Sequence, residues 1–155
     1  MEGPVASIRA AAGAAGLLTA AVLLSGCQPA AATPNLAGSS WELVQIQSMD
    51  DAQGVTTIPD PSAFTVTFGP DGRAGFQLDC NRGNGSYTAA PADDGQSGSL
   101  SFGPIGVTMM LCPQPSLDSR VSTELERVTG YLFADGQLHL STKLDSSVLT
   151  WRPAP

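Results

Sequence analysis

From residue 36 onward the chain consists mainly of short runs with apolar residues at every second position. Gly, Pro and Asp separate the runs, a pattern that predicts strands joined by tight turns. Phe64-Thr65-Val66-Thr67-Phe68 is the clearest: Phe64, Val66 and Phe68 share one face and the threonines take the other. In Gly69-Pro70-Asp71-Gly72, Pro fixes one dihedral and Gly supplies a positive one, so a turn follows. Ala74, Phe76 and Leu78 then carry a second strand up to Cys80. Ser40–Gln47 turns Trp41, Leu43 and Ile46 toward an interior. GSYTA (85–89), SLSF (99–102), GYLF (130–133), LHLST (138–142) and SVLTWR (147–152) read as the remaining strands. Asp135-Gly136 is a hairpin signal between two of them. All nine aromatic residues lie in these stretches, as a β-rich core requires. Residues 91–99 read as a polar loop.

One segment breaks the period of two. Leu117, Val121, Leu125 and Val128 are spaced by four, four and three, the stripe of an amphipathic helix. Ser116 can cap its start, Pro113 and Pro115 block an earlier one, and Gly130 can end it, giving about 13 residues. The expected fold class is therefore mainly antiparallel β with one helix packed on the sheet.

The first 26 residues have a different character. Between Arg9 and Cys27 there is no charge, and the apolar run is shorter than the roughly 20 residues that cross a membrane. It fits the apolar core of a signal peptide (1–26), and Leu24-Ser25-Gly26-Cys27 at its end resembles a lipobox. Cys27 is then the lipid attachment site. Residues 27–35, small and Pro-rich, form a tether, and the folded domain spans 36–153. Two or three acyl chains, each methylene contributing about 0.8 kcal/mol, would hold it on a membrane. The expected location is the cell envelope, outside the cytoplasm.

Net charge is −7, with acids scattered along the chain and Lys143 as the only lysine. Nucleic-acid backbones demand concentrated positive charge, so no nucleic-acid partner is expected. Catalytic signatures are missing as well. His139, the only histidine, sits between Leu138 and Leu140, so on a strand it points away from them. No nucleophile elbow, phosphate loop or dinucleotide fingerprint accompanies it. No enzyme activity, cofactor or metal is expected, and the domain is expected to be a monomer.

With Cys27 assigned to lipid, Cys80 and Cys112 remain. In an oxidising compartment two cysteines most often pair, and a bridge over about 33 residues would stabilise a small domain by roughly 3–4 kcal/mol. A free reactive pair and a metal site are the alternatives, although two thiolates without further ligands hold zinc poorly.

The same region carries a resemblance. Asp79-Cys80-Asn81-Arg82-Gly83-Asn84-Gly85-Ser86-Tyr87 and Gly106-Val107-Thr108-Met109-Met110-Leu111-Cys112 resemble the signature of the META domain, the family of HslJ-like bacterial lipoproteins. Leu36, Gly38, Trp41 and Leu43 match the family's opening. Asn81, Gly85 and Tyr87 follow the first cysteine, Thr108 and Met110 precede the second, and Glu124 is the acid on the helix. Leu138 and Leu140 match its closing hairpin. Asp79 stands where the pattern has Gly. The resemblance implies a compact, open or cracked β-barrel crossed by one helix, an envelope location and an association with stress or drug tolerance. It implies no reaction. The motif residues are expected to be structural, with Asn81 and Gly85 shaping a turn beside the cysteines and Met109, Met110 and Leu111 filling core space. The expected function is a non-enzymatic envelope interaction module with a protein partner. A carrier of a small apolar ligand and an inhibitor of a basic hydrolase are the alternatives.

Overall fold

The computed structural model describes residues 35–155; the leader, Cys27 and the tether up to residue 34 lie outside the described residues. The strands are β1 (Ser40–Ser48), β2 (Val55–Thr57), β3 (Phe64–Phe68), β4 (Arg73–Leu78), β5 (Asn81–Pro91), β6 (Ser97–Phe102), β7 (Gly106–Val107), β8 (Val128–Ala134), β9 (Gln137–Thr142) and β10 (Ser147–Pro153). One helix, α1 (Asp118–Leu125), lies between β7 and β8. All pairings are antiparallel, in the order β10-β9-β8-β6-β5-β4-β3-β1, and β1 pairs again with β10. That last ladder closes the sheet into a barrel, which removes its edges. β2 adds to β1 and β7 to β5. The β6–β8 and β1–β3 seams are the shortest joins of the ring, with three pairs each: Ser97–Ser99 against Gly130–Leu132, and Ser40–Glu42 against Thr65–Thr67.

Alternation along the strands fills the barrel. Leu43, Ile46, Phe68, Leu138, Leu140 and Trp151 are fully buried, and each such burial is worth roughly 1.5–3 kcal/mol against exposure. Two tight turns work as their residues demand. Asp135 and Gly136 both hold positive φ (53° and 73°), the requirement of the hairpin turn that matches strand twist. Gly72 has φ +79° after Pro70.

Helix α1 closes one end of the barrel. Around it lie the ends of β4 (Leu78), β9 (Thr142) and β1 (Ser48) and the starts of β5, β8 and β10. Val121 and Leu125 point into the core, fully buried. Polar bonds fix its flanks: Arg120 Nη1 donates to Thr56 Oγ1 (2.9 Å), and Ser147 Oγ donates to Glu124 Oε1 (3.1 Å). Among the described residues no helix is long and apolar enough to cross a membrane. Leu36 packs at the opposite end, in a small hollow with Tyr87 and Tyr131.

The helix is eight residues long, not about 13. Val128 belongs to β8, where it pairs with Thr142 and is still buried. Helix and strand both turn Val128 inward, so spacing alone could not separate them, and the partner strand β9 decides. Ser116 is not the capping residue: that place falls to Leu117, which makes no side-chain bond, while Ser116 Oγ, one residue earlier, accepts from the Asp118 amide at 3.3 Å. Gly130 lies inside β8. The expected loop shrinks to residues 92–96, because Pro91 pairs with Gly98 and Ala90 with Ser99. Asp94 orders that turn by accepting the Ser97 hydroxyl and the Ser97 and Gln96 amides, bonds that hold its carboxyl below the usual range.

Candidate functional site

The turn from β4 to β5 brings the motif together. Asp79 has φ +56°, a left-handed conformation that glycine adopts freely and Asp tolerates better than most residues. The family's Gly at this place is thereby explained. Cys80, next in the turn, is joined to Cys112 in a disulfide. Asn81 begins β5 and is almost wholly buried, with 2% of its surface exposed. Its Oδ1 accepts from the Met110 amide (2.7 Å) and the Thr108 hydroxyl (3.0 Å). Its Nδ2 lies within donating distance of the Met110 carbonyl (3.0 Å) and Asp118 Oδ2 (3.1 Å). Thr108 Oγ1 also accepts from the Arg82 amide (3.0 Å), and the Thr108 amide donates to Arg82 O (2.9 Å). One side chain thus satisfies both backbone groups of Met110 and reaches the start of α1.

Residues 108–112 form a strap held by Asn81 and the disulfide. Its side chains do not fill the core as the sequence suggested. Met109 is 97% exposed, Met110 63% and Leu111 94%. The barrel behind the strap is already packed by Leu78, Val121 and Leu125, and anchoring both Met110 backbone groups to Asn81 keeps the segment at the surface. Asn81 and Gly85 do not shape a turn either; both lie in β5. A Cβ on Gly85 would meet Pro104 O at 3.1 Å, so Gly85 is what lets the approach to β7 pass closely over β5.

Other motif residues lie elsewhere. Trp41 packs near Phe133 (ring centroids 5.7 Å) and donates through Nε1 to Ser39 Oγ (2.7 Å). The Tyr87 hydroxyl donates to Gly69 O (2.8 Å), tying β5 to the β3–β4 turn. Glu124 faces the barrel end at Ser147; its Oε2 is buried and has no partner among the described residues. The helix acid that joins Asn81 is Asp118, which the sequence did not single out. Ser116 Oγ lies between Asp79 Oδ2 (2.6 Å) and Asp118 Oδ1 (3.0 Å). Only its spacing to Asp118 could have flagged it.

Both tyrosines of the chain, Tyr87 and Tyr131, have raised pKa values, first from burial and second from Asp71 and Asp94 respectively. Folding therefore favours the neutral phenol. This share of stability is complete below the unfolded-chain value near 10 and is lost as pH rises through the folded values. Phenolate absorbance is expected to appear at higher pH in the folded protein than in urea; coincident titrations would contradict this.

Between the strap and the outer face of α1 runs a groove of about 610 Å3. Ile105, Val107, Met109 and Leu111 form its apolar side, and Ser119, Ser122 and Thr123 its polar side. Asp118 and Glu126 are its charged lining residues, and no Lys or Arg is among those that line it. Among the described residues no three His, Cys, Asp or Glu gather to hold a metal ion. His139 lies on the outer wall, its Nδ1 3.2 Å from Thr150 Oγ1.

The model of the META domain matches residues 34–155. The chain belongs to the META domain family. Among curated proteins none matches it. Of solved structures, a protein from Burkholderia xenovorans, determined by NMR, is similar at 26% identity with a TM-score of 0.58, over 79% of this chain and 86% of the other. A DUF4847 family protein from Bacteroides vulgatus shares the fold at 14% identity, with a TM-score of 0.51 over 76% and 93% of the two chains. In this META domain the signature residues serve two ends. Asn81, Thr108, Met110 and the cysteines pin the strap, while Trp41, Gly85 and Tyr87 build the barrel.

Proposed function

We propose that this META domain is a non-enzymatic interaction module of the bacterial cell envelope, anchored by acyl chains on Cys27. In this reading it engages a protein partner through the Met109–Leu111 strap, in a setting of stress or drug tolerance. One observation carries it: three consecutive large apolar side chains stand in solvent on a backbone fixed by a disulfide and a buried asparagine. Exposed apolar patches on a rigid frame mark interaction sites. Methionine suits such a surface because its flexible thioether adapts to different partners. The lipobox-like Leu24–Cys27 supports the anchor. The tether enters at Leu36, at the barrel end opposite α1, and its nine residues span at most about 30 Å. The carrier reading needs interior room for an acyl chain, and Phe68, Leu125, Trp151 and their neighbours occupy it.

The test has two parts. Mass analysis of the protein from its own envelope should give an N-terminal acylated Cys27. A photo-crosslinker placed at position 109 or 111 should give one reproducible adduct that position 144, where Leu144 is equally exposed, does not give. An unacylated N-terminus would remove the anchor, and identical adducts from all three positions, or none, would remove the strap. Unchanged lysozyme and protease activity on mixing would dispose of the hydrolase-inhibitor alternative.

A further inference from the structure

We infer that the groove between the strap and α1 binds an extended, cationic, amphipathic peptide segment, which adds as a strand to the free edge of Val107–Leu111. The inference rests on the reading of the strap as a partner surface and names that partner's chemistry. β7 pairs with β5 alone, so its other edge carries no strand. The ladder to β5 continues past β7 through the Thr108 amide and, by way of Asn81, both backbone groups of Met110. In an extended segment alternate residues direct their amides and carbonyls to opposite sides. Thr108 and Met110 spend their bonds on the β5 side, and an incoming strand would pair with the alternate residues, Met109 and Leu111. Neither Met109 nor Leu111 makes a backbone hydrogen bond among the described residues.

Such an edge is a template for another strand, and proteins usually blunt it with charge or cover it. Here nothing on the strap blunts it: residues 107–111 are Val-Thr-Met-Met-Leu, without charge or proline. Main-chain bonds along an edge give affinity, and alternate side-chain positions give specificity. The apolar wall of Ile105, Val107 and Met109 suits one face of the incoming strand. The charge of its other face follows from Asp118 and Glu126, which are the charged residues lining the groove and form no ion pair among the described residues. The chain's net charge of −7 adds long-range attraction for a basic segment.

The probe is a fluorescein-labelled peptide of alternating lysine and valine, titrated against the full chain in detergent and read by anisotropy. It should bind, with affinity falling as salt rises. The glutamate-valine counterpart should bind at least about tenfold more weakly, and Glu126→Gln, a residue with no side-chain bond of its own, should weaken the lysine peptide about threefold. Two versions of the lysine peptide, N-methylated at odd or at even positions, test strand addition without altering the protein. One should keep its affinity and the other lose at least about tenfold, because only one set of amides faces the domain. Equal loss or equal retention would overturn strand addition, and equal affinity for the lysine and glutamate peptides would overturn the cationic class. If no peptide binds while the adducts at 109 and 111 persist, this inference fails and the interaction reading stands. If those adducts are absent, the interaction reading itself fails.

Discussion

Asn81→Ala is expected to destabilise the domain by about 2–4 kcal/mol and to release the strap from β5. The substitution leaves the Met110 amide and carbonyl, the Thr108 hydroxyl and Asp118 Oδ2 without the partner they share. A buried polar group left unpaired costs about 1–3 kcal/mol, and part of this is recovered here because the strap can take up water. Denaturant unfolding gives the stability, and hydrogen exchange at Met110 shows the release. Asn81→Asp is a sharper variant. It keeps the acceptor oxygen but loses the donors and sets a second carboxylate where Nδ2 now meets Asp118 at 3.1 Å. It should be worse than Asn81→Ala at neutral pH and recover as the pH falls and one of the two carboxyls takes a proton. Unchanged protection of the Met110 amide in either variant would show that Asn81 does not hold the strap.

Replacing both Cys80 and Cys112 by Ser should cost about 3–4 kcal/mol, the entropy of a loop whose ends are 32 residues apart. For a domain of this size that is a fall in Tm of roughly 10–20 °C. The pair fixes the far end of the strap, so the loss should fall hardest on residues 108–112 while the β9–β10 hairpin keeps its exchange protection. Scanning calorimetry with and without reductant measures the first effect, and residue-resolved exchange the second. A Tm lowered by less than about 3 °C would mean that the barrel holds the strap without the bridge.

Much of the fold was legible because the strands are half-buried and write their period into the sequence. Phe64-Val66-Phe68, Leu138-Leu140 and Leu149-Trp151 face inward as the alternation says. The short elements were not legible. β2 and β7 are three and two residues long, too short to show a period, and exist because β1 and β5 offer them an edge. β5 begins at Asn81, four residues earlier than the apolar pattern suggests. Its first half alternates between glycine or asparagine and polar residues, and only its neighbours β4 and β7 define it.

The candidate site was legible in its members but not in its geometry. Cysteine chemistry gave the pairing of Cys80 with Cys112, and the family pattern gave Asn81, Thr108 and Met110. Hydrophobicity then misled at Met109–Leu111. A run of three apolar residues reads as core, and nothing local says that Asn81 spends its hydrogen bonds on the backbone of Met110 and so holds the run outside. Asp118 was overlooked because helix acids near an N-terminus are common, and its tie to Asn81 crosses 37 residues of sequence.

Thermal unfolding of the combined variant Met109→Ser, Met110→Ser, Leu111→Ser tests the central claim most directly. A strap that presents these side chains to solvent predicts a stability within about 1.5 kcal/mol of the parent, since exposed substitutions rarely exceed about 0.5 kcal/mol each. Were the same residues part of the core, each truncation would cost about 2–5 kcal/mol. A domain that loses more than about 4 kcal/mol, or fails to fold, would contradict the account.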